Sequence, residues 1–288
     1  MNKNSTLILT LLLSANALAS DLPAGIVSKS EPTSFAERVE KINASPVFFE
    51  ALSKQADTTP IINLNLLKYR PRGDSTTYDK YGAVAGPEIL SMGGDIVLHG
   101  HLDTSENKIF EQSDEWDGIA FVLYPRRSSY TQLQRSQTYQ EGISDRVAGT
   151  YERLLYVISD GESFYNADHT VEQLHNEKMR IQVEDDTVMV SQLLRFNKDG
   201  KEIYREYAQQ FEKILTEHGG SVVLSSNAEM PIVSEEYWDH FVTFKFPSQE
   251  AMHQVYQSDE MHTINGLRIK ALEDTLTVQS QPTPLPTK

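Results

Sequence analysis

The sequence predicts an α+β chain made of two tandem βαββαβ repeats whose sheets pack against each other. Three observations carry this prediction. Two stretches of alternating apolar residues, from Ile61 and from Met189, each open a long segment. A Gly pair follows in each, Gly93-Gly94 and Gly219-Gly220, then a Trp-Asp pair, Trp116-Asp117 and Trp238-Asp239. These landmarks recur in the same order at nearly constant separation, as an internal duplication requires.

The elements follow in order. Residues 1–19 read as a signal peptide: Lys3 supplies a positive charge, Leu7 to Leu13 an apolar stretch, and Ala17-Leu18-Ala19 a small-residue cleavage site. The apolar stretch is too short to span a bilayer, which takes roughly 20 residues, so the expectation is a periplasmic or secreted chain with no membrane span after cleavage. Residues 20–60 form a helical lead-in, with Phe35, Val39 and Ile42 at helical spacing and a short helix from Pro46 through Leu52.

Residues 61–159 are the first repeat and residues 187–280 the second. Each begins with a strand, passes through a helix carrying paired tyrosines (Tyr78 and Tyr81; Tyr204 and Tyr207), and stops at its Gly pair as a left-handed C-cap does. A second strand, the Trp-Asp pair, a third strand ending at Pro125 or Pro247, a helical stretch and a last strand complete each copy. This is the ferredoxin-like split βαβ plan. Helices on one face leave the other face of each sheet uncovered and apolar, so the two sheets are expected to pack face to face, as a single-chain version of a dimeric α/β barrel. Residues 160–186 are the connector, with a short helix around Val171–Met179, and 281–288 a Pro-rich tail.

Composition narrows the function. Lys plus Arg number 26 against 41 Asp plus Glu, a net charge of −15, which disfavours nucleic acid as a partner. The chain has no cysteine, which removes disulfides, thiolate metal sites and Cys nucleophiles. Nucleotide-binding glycine loops, G-x-S-x-G and H-E-x-x-H are also absent.

The ordered set Asn65-Leu66-Leu67-Lys68-Tyr69, Tyr78 and Tyr81, Gly93-Gly94, Trp116-Asp117, Tyr124-Pro125, Tyr139-Gln140-Glu141 and Arg146 resembles the domain of unknown function family 1330, within the dimeric α/β-barrel superfamily. The resemblance covers nearly all of the first repeat and, more weakly, the second. It implies the barrel fold. The wider superfamily includes cofactor-free monooxygenases, lactone isomerases, dehydratases and heme enzymes, so the resemblance leaves the reaction open.

Candidate site residues gather in the first repeat. His99 and His101 lie at i and i+2 of one strand and so point the same way, with Gly100 between them leaving room for a close approach. Either imidazole suits general acid–base work, because its pKa lies near the working pH. Together with a carboxylate such as Asp114, Glu115 or Asp117 they are an alternative metal site; exposed or structural histidines are the third reading. No cofactor is expected. Asn65 and Tyr69 share a strand face and are read as holding a substrate oxygen, with Tyr69 in the catalytic set beside the histidines. Trp116 is either a packing residue or a pocket wall, Arg126 and Arg146 are candidate holders of an acid group, and Tyr124 and Tyr139 complete the substrate-binding set. The second repeat offers Ser225, Asn227, Phe196, Phe246 and Met261 where the first has His99, His101, Tyr69, Tyr124 and Tyr139. One functional pocket in the first repeat is therefore expected, with the second completing the barrel. The leading expectation is an exported enzyme acting on a small, anionic organic molecule by oxygenase, isomerase or lyase-like acid–base chemistry. The alternative is a non-catalytic periplasmic ligand-binding or structural module. Either a monomer or a homodimer is compatible with a barrel completed within one chain.

Overall fold

A computed structural model describes residues 46–54, 58–103, 108–234 and 236–285. Residues 1–19, read from the sequence as a signal peptide, and the lead-in residues Phe35, Val39 and Ile42 lie outside them. The described chain runs α1 (Pro46–Lys54), β1 (Ile61–Tyr69), α2 (Thr76–Ser91), β2 (Asp95–Leu102), a 3-10 turn (Glu111–Glu115), β3 (Gly118–Tyr124), α3 (Arg127–Arg135), α4 (Gln137–Glu141), α5 (Ile143–Gly149) and β4 (Thr150–Ser159). It continues with α6 (Val171–Asn176), β5 (Val188–Phe196), α7 (Gly200–Glu217), β6 (Ser221–Val233), β7 (His240–Phe246), α8 (Gln249–Tyr256), α9 (Asp259–Ala271) and β8 (Leu272–Pro282).

The eight strands close into one antiparallel barrel in the order β1-β3-β2-β8-β5-β7-β6-β4. Strands β4-β1-β3-β2 and β8-β5-β7-β6 have the same internal order, and the pairs β2–β8 and β4–β6 join them edge to edge. The two sheets expected to pack face to face as an α/β barrel thus also join at both edges, which closes the barrel. Closure satisfies the edge N–H and C=O groups that two separate sheets would leave exposed.

Alternation along β1 sorts its side chains. Ile62, Leu64 and Leu66 point into the barrel and meet Phe121, Leu193, Phe241 and Val278. Phe121 and Phe241 meet edge to face at 5.5 Å between ring centres. The void remaining among Leu64, Leu66, Leu193 and Phe241 is about 10 Å³, at the limit for a single water. The barrel interior is a packed core.

Helices cover the outside. α2 buries Tyr81, Ala85 and Ile89, and α7 buries Tyr204, Tyr207, Phe211 and Leu215. Both end as expected: Gly93 and Gly219 sit at φ of +78° and +74°, and the N–H of the next glycine returns to Ile89 O or Leu215 O, each at 3.0 Å.

Two expectations about connections change. The connector helix is shorter than proposed, ending at Asn176, and Val171, Leu174 and Ile181 join the barrel's interior cluster. Arg180 anchors it through two 2.9 Å bonds to the Asp95 carboxylate. The Pro-rich tail begins as structure, since β8 runs through Pro282 and pairs with Gly100, His101 and Leu102. A Cβ on Gly100 would sit 2.5 Å from Gln281 O and 2.7 Å from Pro282 Cα. The glycine between the two histidines thus makes room for the chain's own closing strand.

Candidate functional site

Register places the predicted polar residues on one face. Asn65 pairs with Ala120 and Ala120 with His99, so the three form a row across β1, β3 and β2 and point the same way. The next row on this side runs Leu67, Gly118, His101. This is the outer, helix-covered side, opposite Ile62, Leu64 and Leu66. Between the Asn65 side and the histidine side the floor is Ala120 and Gly118, which carry almost no side chain. Tyr69 lies over that floor: a Cβ on Gly118 would fall 2.3 Å from its hydroxyl.

Each group has a definable chemical state. The Asn65 amide donates to Asn63 O at 3.0 Å, which fixes its rotamer. Burial pushes the Tyr69 phenol up, with Tyr78, Asp79 and Asp117 adding to it, so Tyr69 is a neutral donor and not a base. His99 moves the other way. Its half-buried position, and secondarily the neighbouring His101, lower its pKa from 6.5, while Asp79 opposes. A neutral imidazole is thereby favoured at neutral pH. His101 is exposed.

From Tyr69 a run of rings leads inward: Tyr69 to Tyr78 at 5.5 Å, Tyr78 to Tyr81 at 5.3 Å, Tyr81 to Tyr139 at 5.7 Å. The Tyr139 hydroxyl is the hub at its end, meeting Tyr81 Oη at 2.7 Å and accepting from Gln134 Nε2 at 2.8 Å and Arg146 Nη1 at 2.9 Å. Arg146 is 1% exposed, so its guanidinium orders this network from within the fold. Tyr124 packs edge to face on Tyr130 in the same layer.

The remaining predicted residues lie elsewhere. Trp116 belongs to the barrel's interior cluster together with Trp238, on the far side of the sheet from Asn65 and His99. Arg126 is exposed at the start of α3. Its neighbour Arg127 is the buried one, paired with Glu229 of β6 and donating to Thr59 at 2.9 Å. Among the described residues no three His, Asp or Glu side chains gather as a metal would need. Asp117 instead accepts from Tyr69 N at 2.7 Å and from Arg72 Nε, which clasps the end of β1 to the start of β3; Asp239 does the same for Phe196 N at 2.8 Å.

Sequence reasoning missed the floor and the contrast between halves. The residue after the first Trp-Asp pair is Gly118, whereas after the second it is His240. His240 is 2% exposed, bonded to Ser225 Oγ at 3.0 Å, and Phe164 from the connector packs on it at 4.8 Å. Phe196 and Tyr204 enclose Phe164 at 5.3 Å each. The surroundings of His240 are thus filled by the chain's own aromatic residues. The Gly-against-His difference after the Trp-Asp pairs was the available signal.

Comparison with known proteins finds one family match over part of the chain and several structural likenesses. Residues 192–280 match the family described as a domain of unknown function (DUF1330). The match falls on the later segment, where the sequence landmarks had placed the weaker likeness. No curated protein matches the chain. Among solved structures, a protein of unknown function from Rhodopseudomonas palustris is 24% identical over 42% of this chain and 97% of its own, with a TM-score of 0.37. A chlorite dismutase variant from Candidatus Nitrospira defluvii aligns over 80% of this chain and 93% of its own at 9% identity and a TM-score of 0.49. An anthrone oxidase-like protein aligns over 79% and 92% at 9% identity and a TM-score of 0.45. No described helix is long and apolar enough to cross a membrane.

Proposed function

We propose that this chain is an exported small-molecule enzyme of the α/β-barrel type, built from two tandem ferredoxin-like repeats at 61–159 and 187–280 joined by the connector 160–186. The shared strand order, the paired glycine caps and the matching Asp117 and Asp239 clasps support the duplication. The signal-like N-terminus supports a periplasmic or secreted location.

The working site is the outer face of the first repeat. A small oxygen-bearing, anionic organic molecule lies over Ala120, beside the Tyr69 ring that covers Gly118. His99 takes or returns a proton as the neutral base, Tyr69 donates to the substrate oxygen, and Asn65 orients it. Arg146 acts through Tyr139 as a positioning residue, and its field favours a negatively charged guest. The chemistry is oxygenase, isomerase or lyase-like proton transfer next to a carbonyl. The observation that carries this reading is the row His99–Ala120–Asn65, with the Tyr69 hydroxyl over the adjoining Gly118. Polar groups converge there around a floor of Gly118 and Ala120, and the corresponding position around His240 in the other half is filled by Phe164.

A second reading, a non-catalytic binding module, draws support from the packed barrel interior and the exposed His101. A panel of small carboxylates, lactones and phenols, assayed for turnover with the wild type, His99→Ala and His101→Ala, separates the two. Turnover lost in His99→Ala with an unchanged circular dichroism spectrum supports the enzyme. Turnover unchanged in both variants ends the acid–base assignment.

A further inference from the structure

The second half holds a cavity of its own. It measures about 190 Å³ and lies outside the barrel, between β5, the helices α8 and α9, and the segment at Ile109 and Phe110 that crosses over from the first half. At ~30 Å³ per water it holds about six water volumes, enough for one ring and an acid group. Its two kinds of wall are distinct. Phe110 and Met261 supply apolar surface, with the Tyr256 ring held edge to face by Phe110 at 5.1 Å. Gln192, Asn265 and Arg268 supply polar groups.

Arg268 is the informative member. It is half-buried, and its one hydrogen bond among the described residues goes to the neutral Thr275 hydroxyl at 3.2 Å, with no carboxylate paired to it. In a chain of net charge −15, a guanidinium on a cavity wall without an acid partner among the described residues is a ready anion anchor. The Tyr256 hydroxyl is a second signal, since it is buried without any hydrogen-bond partner. A buried hydroxyl in that state costs free energy that a polar guest recovers.

We propose that this cavity is a second binding site, separate from the face bearing His99, and that it takes a small monocarboxylate with a flat apolar body. The carboxylate meets Arg268, the Gln192 amide and the Tyr256 hydroxyl, while the body lies between Phe110 and Met261. The second half then does more than complete the barrel.

Benzoate is the probe, with the uncharged benzyl alcohol as its control, titrated into the purified chain labelled with 13C at methionine methyl groups. Met261 is expected to show a saturable ring-current shift with benzoate. Benzyl alcohol, and benzoate with Arg268→Gln, are expected to bind at least about tenfold more weakly, as loss of a charge-assisted pair dictates. Unshifted Met252 and Met189 methyls in Arg268→Gln report that the fold is kept. His99→Ala should leave the Met261 response to benzoate unchanged, so failure here and failure of the first-half site are separately visible. No response of Met261 at millimolar benzoate, equal binding of the two probes, or undiminished binding in Arg268→Gln would overturn the proposal.

Discussion

His240 gives the chain a specific acid sensitivity whose size follows from its surroundings. Burial, chiefly, pushes its pKa down from 6.5 to about 3, with Lys201 adding to the effect and Glu162 opposing it. The unfolded chain exposes an ordinary imidazole, so below pH ~6.5 the unfolded state binds a proton that the folded state refuses. Stability is therefore whole above the unfolded pKa and is lost as pH falls toward the folded one. The slope approaches about 1.4 kcal/mol per pH unit, and between about pH 8 and about pH 5 the loss from this one residue is about 2 kcal/mol. Urea unfolding of wild type and His240→Gln at both pH values measures it. Carboxylates titrate in both proteins and cancel in the comparison, so the variant should lose about 2 kcal/mol less than wild type on acidification. Parallel losses in the two proteins would refute the claim that His240 is held neutral among Phe164, Phe196 and Ser225.

Three further outcomes follow from particular contacts. Arg127→Ala leaves the Glu229 carboxylate in a largely buried position without its guanidinium, and urea unfolding should show a loss of about 3–5 kcal/mol, much of it recovered when Glu229→Gln is added. Gly100→Ala pushes a methyl against Gln281 O and Pro282, so thermal unfolding should report about 1–3 kcal/mol of destabilisation, with amide exchange accelerating first along β8. The lowered pKa of His99 keeps it basic to pH values below its ordinary 6.5; turnover that needs the neutral imidazole should fall on the acid side only below that value, as a pH–rate profile would show, and His99→Ala should abolish that limb.

The fold was legible where local rules decide it. Alternation fixed the two faces of β1, and Gly93 and Gly219 marked the helix ends because only glycine takes the left-handed cap without strain. The barrel was expected, but its β2–β8 seam was not legible, because it joins residues nearly two hundred positions apart and runs into a segment whose prolines suggested a tail. The same long-range contact accounts for Gly100, which local reading tied to a ligand. In the site, Asn65, Tyr69, His99 and His101 share a face because strand periodicity and register decide it. Trp116 was harder, since a large amphipathic ring fits a pocket wall and a core equally well, and only its contact with the interior cluster tells them apart. Arg126 and Arg127 are adjacent at a helix start, where a rotation of one residue decides which is buried. The filling of the second half by Phe164 depends on a connector whose path no periodicity records.

The proposed function requires the first-half face around His99, Asn65 and Tyr69 to capture a small organic molecule. Native mass spectrometry of the chain purified from its producing cells, without chelator, tests it most directly when wild type, His99→Ala, Asn65→Ala and His240→Gln are compared. A stoichiometric organic mass is expected on wild type and His240→Gln, lost or strongly depleted in the other two. A bound mass carried equally by all four chains, or no bound mass on wild type together with no turnover across the panel, would contradict it.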